Sequence, residues 1–212
     1  MWDFFRKLDY ILRKNKIQPQ DIYNMDEKGF ILGFSAQSWV VCRSYLHNPL
    51  VTQDGSWELL TVLECVSSDV FVLPQFVVYK AKSHWTGWHG ETDDLLAKFC
   101  LSPNGWTDDS LGLKWLIDHF DCFIKNRAGG QPRLLIIDGH ASHISYEFCK
   151  YAAENNIHLI SLPPHSTHLL QPLHVGLFGP LQHFYGKAAD DYVRNSHCGI
   201  LKGTFWGFYP TA

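Results

Sequence analysis

The order of predicted strands and helices indicates an α/β fold, with a mixed five-stranded sheet and helices on both faces. Three observations lead to this fold class. Short runs rich in β-branched and aromatic residues fill much of the first half of the chain. Segments of helical periodicity and two non-alternating apolar runs, typical of strands buried on both faces, share the second half. The chain has 212 residues, 46% of them hydrophobic, so it can bury one sizeable core.

The first half is predicted to contain one helix followed by strands. Residues 2–16 carry their apolar side chains on one helical face, and IQPQD ends that helix. IYNMD predicts a short strand that ends at Asp26, before a turn at Lys28 and Gly29. Residues 38–80 predict a set of strands that includes a hairpin, in SWVVCRSY, WELLTVLECVS and VFVLPQFVVYKA. Residues 81–108 have no clear period and are predicted to form a loop.

The second half alternates helices with buried strands. A helix begins at Asp109, with Asp108 or Asp109 as its N-cap, and ends before AGGQP. RLLIIDG and IHLISLPP predict buried strands, separated by the helix HISYEFCKYAAENN. PHSTHLLQP is a rigid loop, and residues 172 to about 194 form the last helix, with the proline tolerated in its first turn.

Two aspartates end apolar runs, Asp26 in IYNMD and Asp138 in RLLIID. A lone Asp in this position is usually a turn or cap residue. However, open α/β sheets place their sites at the carboxyl ends of strands, and neighbouring strands lie only about 5 Å apart. Two carboxylates at this edge suit Mg²⁺, and a pair of such ions can drive phosphodiester cleavage. The spacing therefore suggests a metal site at the carboxyl ends of these two strands.

The bulk composition limits the classes of function. The net charge is −3, from 18 Lys and Arg against 21 Asp and Glu, so the chain lacks the basic footprint of a stand-alone duplex binder. Its six cysteines contain no Cys-x-x-Cys pair, which argues against a zinc ribbon and favours reduced thiols in an intracellular protein. We also find no targeting segment and no apolar run of membrane-spanning length, and expect no membrane partner.

Four sequence words carry a family resemblance that covers the chain from about residue 3 to its C-terminus. They are NMDEKGF, GWTDDSLGLKWL, LLIIDGHASH and LPPHSTHLLQPL-x-VG-x-FGPL. In this order they resemble the pogo/Tigger-like branch of the DDE-superfamily transposases, close to the forms found in fungal genomes.

This resemblance implies an RNase H-like catalytic core that acts on DNA in the nucleus, with transposon ends as the partner in the parent family and a homodimer as a possible assembly. The implied metal ligands, for Mg²⁺ or Mn²⁺, are Asp26, Asp138 and the residue at position 174. The family has a third acid at that position, whereas this chain has His174 in QPLHVG. The 35 residues between Asp138 and His174 match the family spacing, so the histidine replaces a catalytic acid.

His174 is predicted to impair metal-dependent cleavage. It removes one negative charge from the site, and imidazole suits transition metals better than Mg²⁺. A protonated imidazole would also repel a cation. The next acids on the predicted helix, Asp190 and Asp191, lie about 24 Å away along its axis and are too far to substitute.

The resemblance also divides the chain into three parts. Residues 1–20 form an N-terminal helix at the end of a linker to a missing DNA-binding region. Residues 21–195 form the catalytic core, and residues 196–212 begin a C-terminal helical tail that is cut short. The chain is thus expected to be a core fragment or a decayed copy of a transposase, and the DNA-contacting charge is expected to belong to the absent part.

Two alternative functions stay open. The first is a non-catalytic, domesticated or degenerate remnant that binds DNA or protein. The second is a zinc-dependent hydrolase that uses two His-x-x-His pairs, His140 with His143 and His165 with His168. Loop hydrogen bonding and positioning on the substrate side is the simpler interpretation of these pairs.

Overall fold

A six-stranded mixed sheet forms the centre of the computed structural model, which describes residues 2–32, 58–88, 97–139, 144–196 and 198–209. The strand order is β4-β3-β2-β1-β5-β6. The strands are β1 (Ile22–Ile31), β2 (Leu59–Ser67), β3 (Phe76–Lys80), β4 (Lys98–Ser102), β5 (Arg133–Ile137) and β6 (Ile157–Ser161). β2 is antiparallel to both of its neighbours, β1 and β3, and the other neighbouring strands are parallel.

The sheet has one strand more than the sequence predicted. β4 lies in the stretch 81–108, which we expected to be a loop, and it pairs in parallel with β3 at one edge of the sheet. Its five residues, KFCLS, have no strict alternation, and their apolar run of three residues is too short to predict a buried strand. The strand therefore forms through main-chain pairing with β3, and it could not be predicted from the pattern of its side chains. The strand predicted at residues 38–45 lies outside the described residues.

Helices cover both faces of the sheet. They are α1 (Trp2–Asn15), α2 (Asp109–Trp115), α3 (Cys122–Ala128), α4 (Tyr146–Glu154), α5 (Thr167–Leu170), α6 (Phe178–Ser196) and α7 (Lys202–Phe208). A π-helical turn, Leu116–Asp121, joins α2 to α3, and a second one, Leu173–Leu177, leads into α6. The predicted N-cap is confirmed, since the Asp108 carboxylate accepts a hydrogen bond from the Leu111 amide at 2.9 Å. None of the described helices is both long and apolar enough to cross a membrane.

The hydrophobic core consists of two layers, one on each side of the sheet. Trp115 and Phe148, from α2 and α4, are fully buried against one face. On the other face, Phe205 and Trp206 of α7 pack with α6 over β1 to β3, and α1 packs over β5 and β6. Burial of each such aromatic side chain contributes on the order of 2–3 kcal/mol. The predicted α/β class with helices on both faces is confirmed.

A strained turn follows β2. Val70 is 82% exposed and has a φ of 69°, in the left-handed region that β-branched residues disfavour. Its amide donates a hydrogen bond to the Ser67 carbonyl at 3.1 Å, which holds it in this conformation. Because asparagine tolerates the left-handed region, we expect Val70→Asn to raise the free energy of unfolding by about 0.5–1 kcal/mol.

Urea denaturation measures this effect, and Val72→Asn is the matched control. Val72 is also an exposed valine of this turn region, but its φ is not positive. The control is expected to be neutral or destabilising, because asparagine has a low β-propensity. Equal stability changes in the two variants would contradict strain at Val70.

Candidate functional site

Asp26 lies in the middle of β1, although the sequence predicted that it would lie at the end of a strand. The strand continues to Ile31 because its second half pairs with β2, and the expected turn at Lys28 and Gly29 is part of it. Pairing with β5, in contrast, ends at Asn24 opposite Ile136. Asp26 therefore stands just beyond the last parallel pair, with its side chain on the face that α6 and α7 cover.

The Asp26 carboxylate is buried, with only 3% of the residue exposed. Oδ1 accepts a hydrogen bond from the Glu27 amide at 2.9 Å. Oδ2 has no aligned hydrogen-bond donor, although His174 Nε2 lies 3.0 Å away, at ion-pair distance. Burial raises the pKa of Asp26 to about 6, the charge of His174 opposes this shift, and Asp138 adds to it. A buried carboxylate oxygen without a hydrogen bond is suited to receive a cation.

Asp138 follows directly after β5, at the carboxyl end of the strand next to β1. It is half-buried, and its charge reaches Asp26 strongly enough to raise the pKa of that carboxyl group. The sheet topology thus places the two aspartates on neighbouring strands, close enough for their charges to interact.

His174 is the second residue of the π-helical turn Leu173–Leu177. Its side chain is 40% exposed, and its ring packs edge-on against Phe178 with centroids 5.2 Å apart. π-Helical turns are rare and often occur at functional sites. Here the turn brings the imidazole of His174 directly against Asp26.

Three buried polar residues of the site were missed by the sequence interpretation. Asn24 and Gln171 tie β1 to the chain around His174, since Asn24 Oδ1 accepts from the Leu173 amide and Gln171 Nε2 donates to the Met25 carbonyl, both at 3.1 Å. Glu64 faces Asp26 directly across the β1–β2 pair. For Asn24 and Glu64 the sequence did contain a signal, a polar residue within an apolar strand, in IYNMD and LLTVLECVS respectively.

Glu64 belongs to a hydrogen-bonded network beside the site, on the neighbouring strand β2. It is 3% exposed and accepts a hydrogen bond from the Tyr209 hydroxyl at 2.5 Å. Burial raises the pKa of Glu64 to about 7, while hydrogen bonds from Tyr209 and Gln75 limit the shift. A second carboxyl group that titrates near neutral pH therefore lies on the same sheet face as Asp26.

Two of the side chains, those of Asp26 and His174, are placed to act as neighbouring ligands of one metal ion. Adjacent ligands of an octahedral ion with bonds of about 2.1 Å lie about 3.0 Å apart. This is also the separation of Asp26 Oδ2 and His174 Nε2. Asp138 does not complete the cluster in this arrangement, since no three His, Cys, Asp or Glu side chains within the described ranges are close enough to hold a metal.

Only one of the two His-x-x-His pairs is described. His165 and His168 are exposed, and His165 has a φ of 59°. His140 and His143 lie outside the described residues. The zinc hydrolase alternative therefore stays a prediction.

A sequence model of the DDE superfamily endonucleases matches residues 57–200, more than half of the chain. The chain belongs to this family. Asp138 and His174 fall within the matched range of the DDE domain, and Asp26 precedes it.

Solved structures of Mos1 transposase share the fold of this DDE domain. The pre-cleavage Mos1 transpososome has a TM-score of 0.58 at 10% identity, over 99% of this chain and 57% of that chain. The Mos1 catalytic domain solved with raltegravir and Mg has a TM-score of 0.54 at 10% identity, over 99% of this chain and 86% of that chain. The likeness is one of fold, and it confirms the expected RNase H-like architecture.

A curated relative extends the match in sequence. The MFS-type transporter clz9 of Cochliobolus lunatus is 35% identical over 200 residues, which is 94% of this chain and 22% of that protein. The DDE domain therefore spans about a fifth of this relative, and just over half of the Mos1 chain in the transpososome.

Proposed function

We propose that the DDE domain is a DNA-processing core of the pogo/Tigger type in which the third acid of the metal site has been replaced by His174. Membership of the DDE superfamily supports a transposase-derived function on DNA. In this proposal Asp26, Asp138 and His174 occupy the three ligand positions. Mg²⁺ or Mn²⁺ is the cofactor, and DNA is the partner. Nuclear localisation and a homodimer are further expectations of the same proposal.

The observation that carries the proposal is the contact between Asp26 and His174. Asp26 Oδ2 is buried, lacks an aligned hydrogen bond and lies 3.0 Å from His174 Nε2. With an acid at position 174, the same spacing would place two carboxylates on one cation. The imidazole contributes no negative charge, and its nitrogen favours Mn²⁺ or other transition metals over Mg²⁺.

The roles of the side chains follow from their environments. When bound, divalent ions activate the attacking water and stabilise the leaving oxygen of a phosphodiester. Asp26 presents a fixed, buried oxygen, while half-buried Asp138 supplies the second carboxylate from the neighbouring strand. His174 holds Asp26 by an ion pair when protonated, and this contact competes with the entry of a cation.

A plasmid-nicking assay with Mg²⁺ and with Mn²⁺ tests the proposal. We expect little or no nicking by the native chain, a gain of Mn²⁺-dependent nicking in His174→Asp, and loss of that gain when Asp138→Ala is added. Robust nicking by the native chain that Asp138→Ala abolishes would refute the impairment. The non-catalytic remnant predicts instead that none of these proteins nicks DNA.

A further inference from the structure

We propose that Asn24 is a positioning residue that fixes the separation of the three candidate ligand positions through its side-chain amide. The inference rests on the proposed function, because it assigns a role in the geometry of that same site. It concerns a residue that touches neither substrate nor metal, and it follows from two hydrogen bonds and one strand register.

The Asn24 amide links the two other chain segments that carry candidate ligands. Its Nδ2 donates to the carbonyl of Ile136 at 3.1 Å, two residues before Asp138. Its Oδ1 accepts from the amide of Leu173 at 3.1 Å, directly before His174. One planar group thus connects β5 and the π-helical turn to β1.

The third ligand position is on the strand of Asn24 itself. Asp26 lies two residues further along β1, so both side chains point to the same face of the sheet. Each of the three ligand positions therefore lies within two residues either of Asn24 itself or of a residue that is hydrogen-bonded to its side chain.

The register of the sheet explains why a side chain, and not the main chain, holds β1 and β5 together near the site. Main-chain pairing between β1 and β5 ends at Asn24 opposite Ile136. Beyond this point no ladder hydrogen bond controls the distance between the strand of Asp26 and the residue that follows β5. The Asn24 amide adds a hydrogen-bonded link between these strands just before the two carboxylates.

Gln171 strengthens the same attachment from the opposite side. It is fully buried, and its Nε2 donates to the Met25 carbonyl at 3.1 Å, between Asn24 and Asp26. Two side-chain amides therefore hold the chain around His174 against β1. One is that of Asn24, on β1, and the other is that of Gln171, just before the π-helical turn. Since Asn24 is 4% exposed, its replacement by an apolar residue leaves the Leu173 amide without its acceptor.

The test compares Asn24→Leu with Thr61→Val, a matched loss of a buried hydrogen bond elsewhere in the sheet. The Thr61 hydroxyl is fully buried on β2 and donates to the Gly105 carbonyl at 2.8 Å. By strand alternation it lies on the opposite face from Asn24. Both substitutions are made in the native chain and in the His174→Asp background, and Asn24→Ser replaces Asn24→Leu if the latter fails to fold.

The first readout is the affinity for Mn²⁺ in the His174→Asp background, measured by calorimetry. Urea denaturation of the same variants gives their folding stability. We expect the Asn24 substitution to weaken Mn²⁺ binding by about 10- to 100-fold, as losses of ligand-orienting groups do. We expect Thr61→Val to leave the affinity unchanged at a similar loss of folding stability. A merely structural role for Asn24 predicts the same affinity in both variants.

The second readout needs no metal and is taken with native His174. The ring ¹⁵N and ¹H signals of His174 in NMR spectra are expected to shift in the Asn24 variant and to stay in place in Thr61→Val. If His174→Asp fails to bind Mn²⁺, the proposed function fails and these signals alone decide the role of Asn24. Unchanged His174 signals in the Asn24 variant overturn the positioning role, whatever the metal result.

Discussion

Replacement of His174 by aspartate is expected to raise the affinity for Mg²⁺ and Mn²⁺ by at least about 100-fold, because an added charge a few ångströms from a cation is worth several kcal/mol at a partly buried site. The substitution also removes the imidazole from its contact with Asp26 Oδ2, 3.0 Å away. In the proposed site, the three ligand positions would then all carry carboxylates, whose oxygen atoms are the type of ligand that Mg²⁺ prefers. Isothermal titration calorimetry with each metal measures the change.

The control for this experiment is His168→Asp. His168 is an exposed histidine of α5, which precedes the π-helical turn, so its substitution changes the net charge equally without adding a ligand to the site. We expect no gain in affinity from this control. Equal gains in the two variants would mean that net charge, and not position 174, determines cation binding.

Replacement of Glu64 by glutamine is expected to remove a large part of the pH dependence of stability near neutral pH. Burial raises the pKa of Glu64 from 4.5 to about 7. The folded state therefore binds the proton more tightly than the unfolded state does. The resulting stabilisation is fully present below pH 4.5 and is lost as the pH rises through about 7. A shift of this size corresponds to a loss of about 3 kcal/mol by pH 8 to 9.

The glutamine variant retains an acceptor for the Tyr209 hydroxyl but cannot ionise. We expect its free energy of unfolding to lie within about 1 kcal/mol of that of the native chain near pH 5 and to exceed it by about 3 kcal/mol near pH 8.5. Urea denaturation across this range gives the difference between the two proteins, in which the contributions of titrating groups other than Glu64 cancel. Exposed Glu154, changed to glutamine, is the control. Parallel pH curves for native and Glu64→Gln proteins would contradict the burial of an ionisable carboxyl group.

Strong local patterns made much of this fold predictable from sequence. The helical period after Asp109 and the apolar runs before Asp138 and at Ile157–Ser161 each correspond to an element of the predicted type. The position of Asp138 after β5 was also correctly predicted, because a strand buried on both faces is a continuous apolar run that ends visibly.

Pairing between distant segments was not predictable in the same way. β4 is a strand only because β3 lies beside it, and β1 continues past Asp26 only because β2 accompanies it. The register that sets Glu64 opposite Asp26, and the hydrogen bonds of Asn24, depend on the same long-range pairing. The sequence thus identified the ligand candidates, whereas the buried polar groups around them required the three-dimensional structure.

The most direct test of the proposed metal site is the crystal structure of the His174→Asp variant with Mn²⁺, using anomalous scattering to locate the ion. We expect an anomalous peak in contact with Asp26 Oδ2, Asp138 and the new carboxylate. Absence of a peak at this edge of the sheet, or Mn²⁺ bound only at other residues, would contradict the assignment of these three positions as the metal site of the DDE domain.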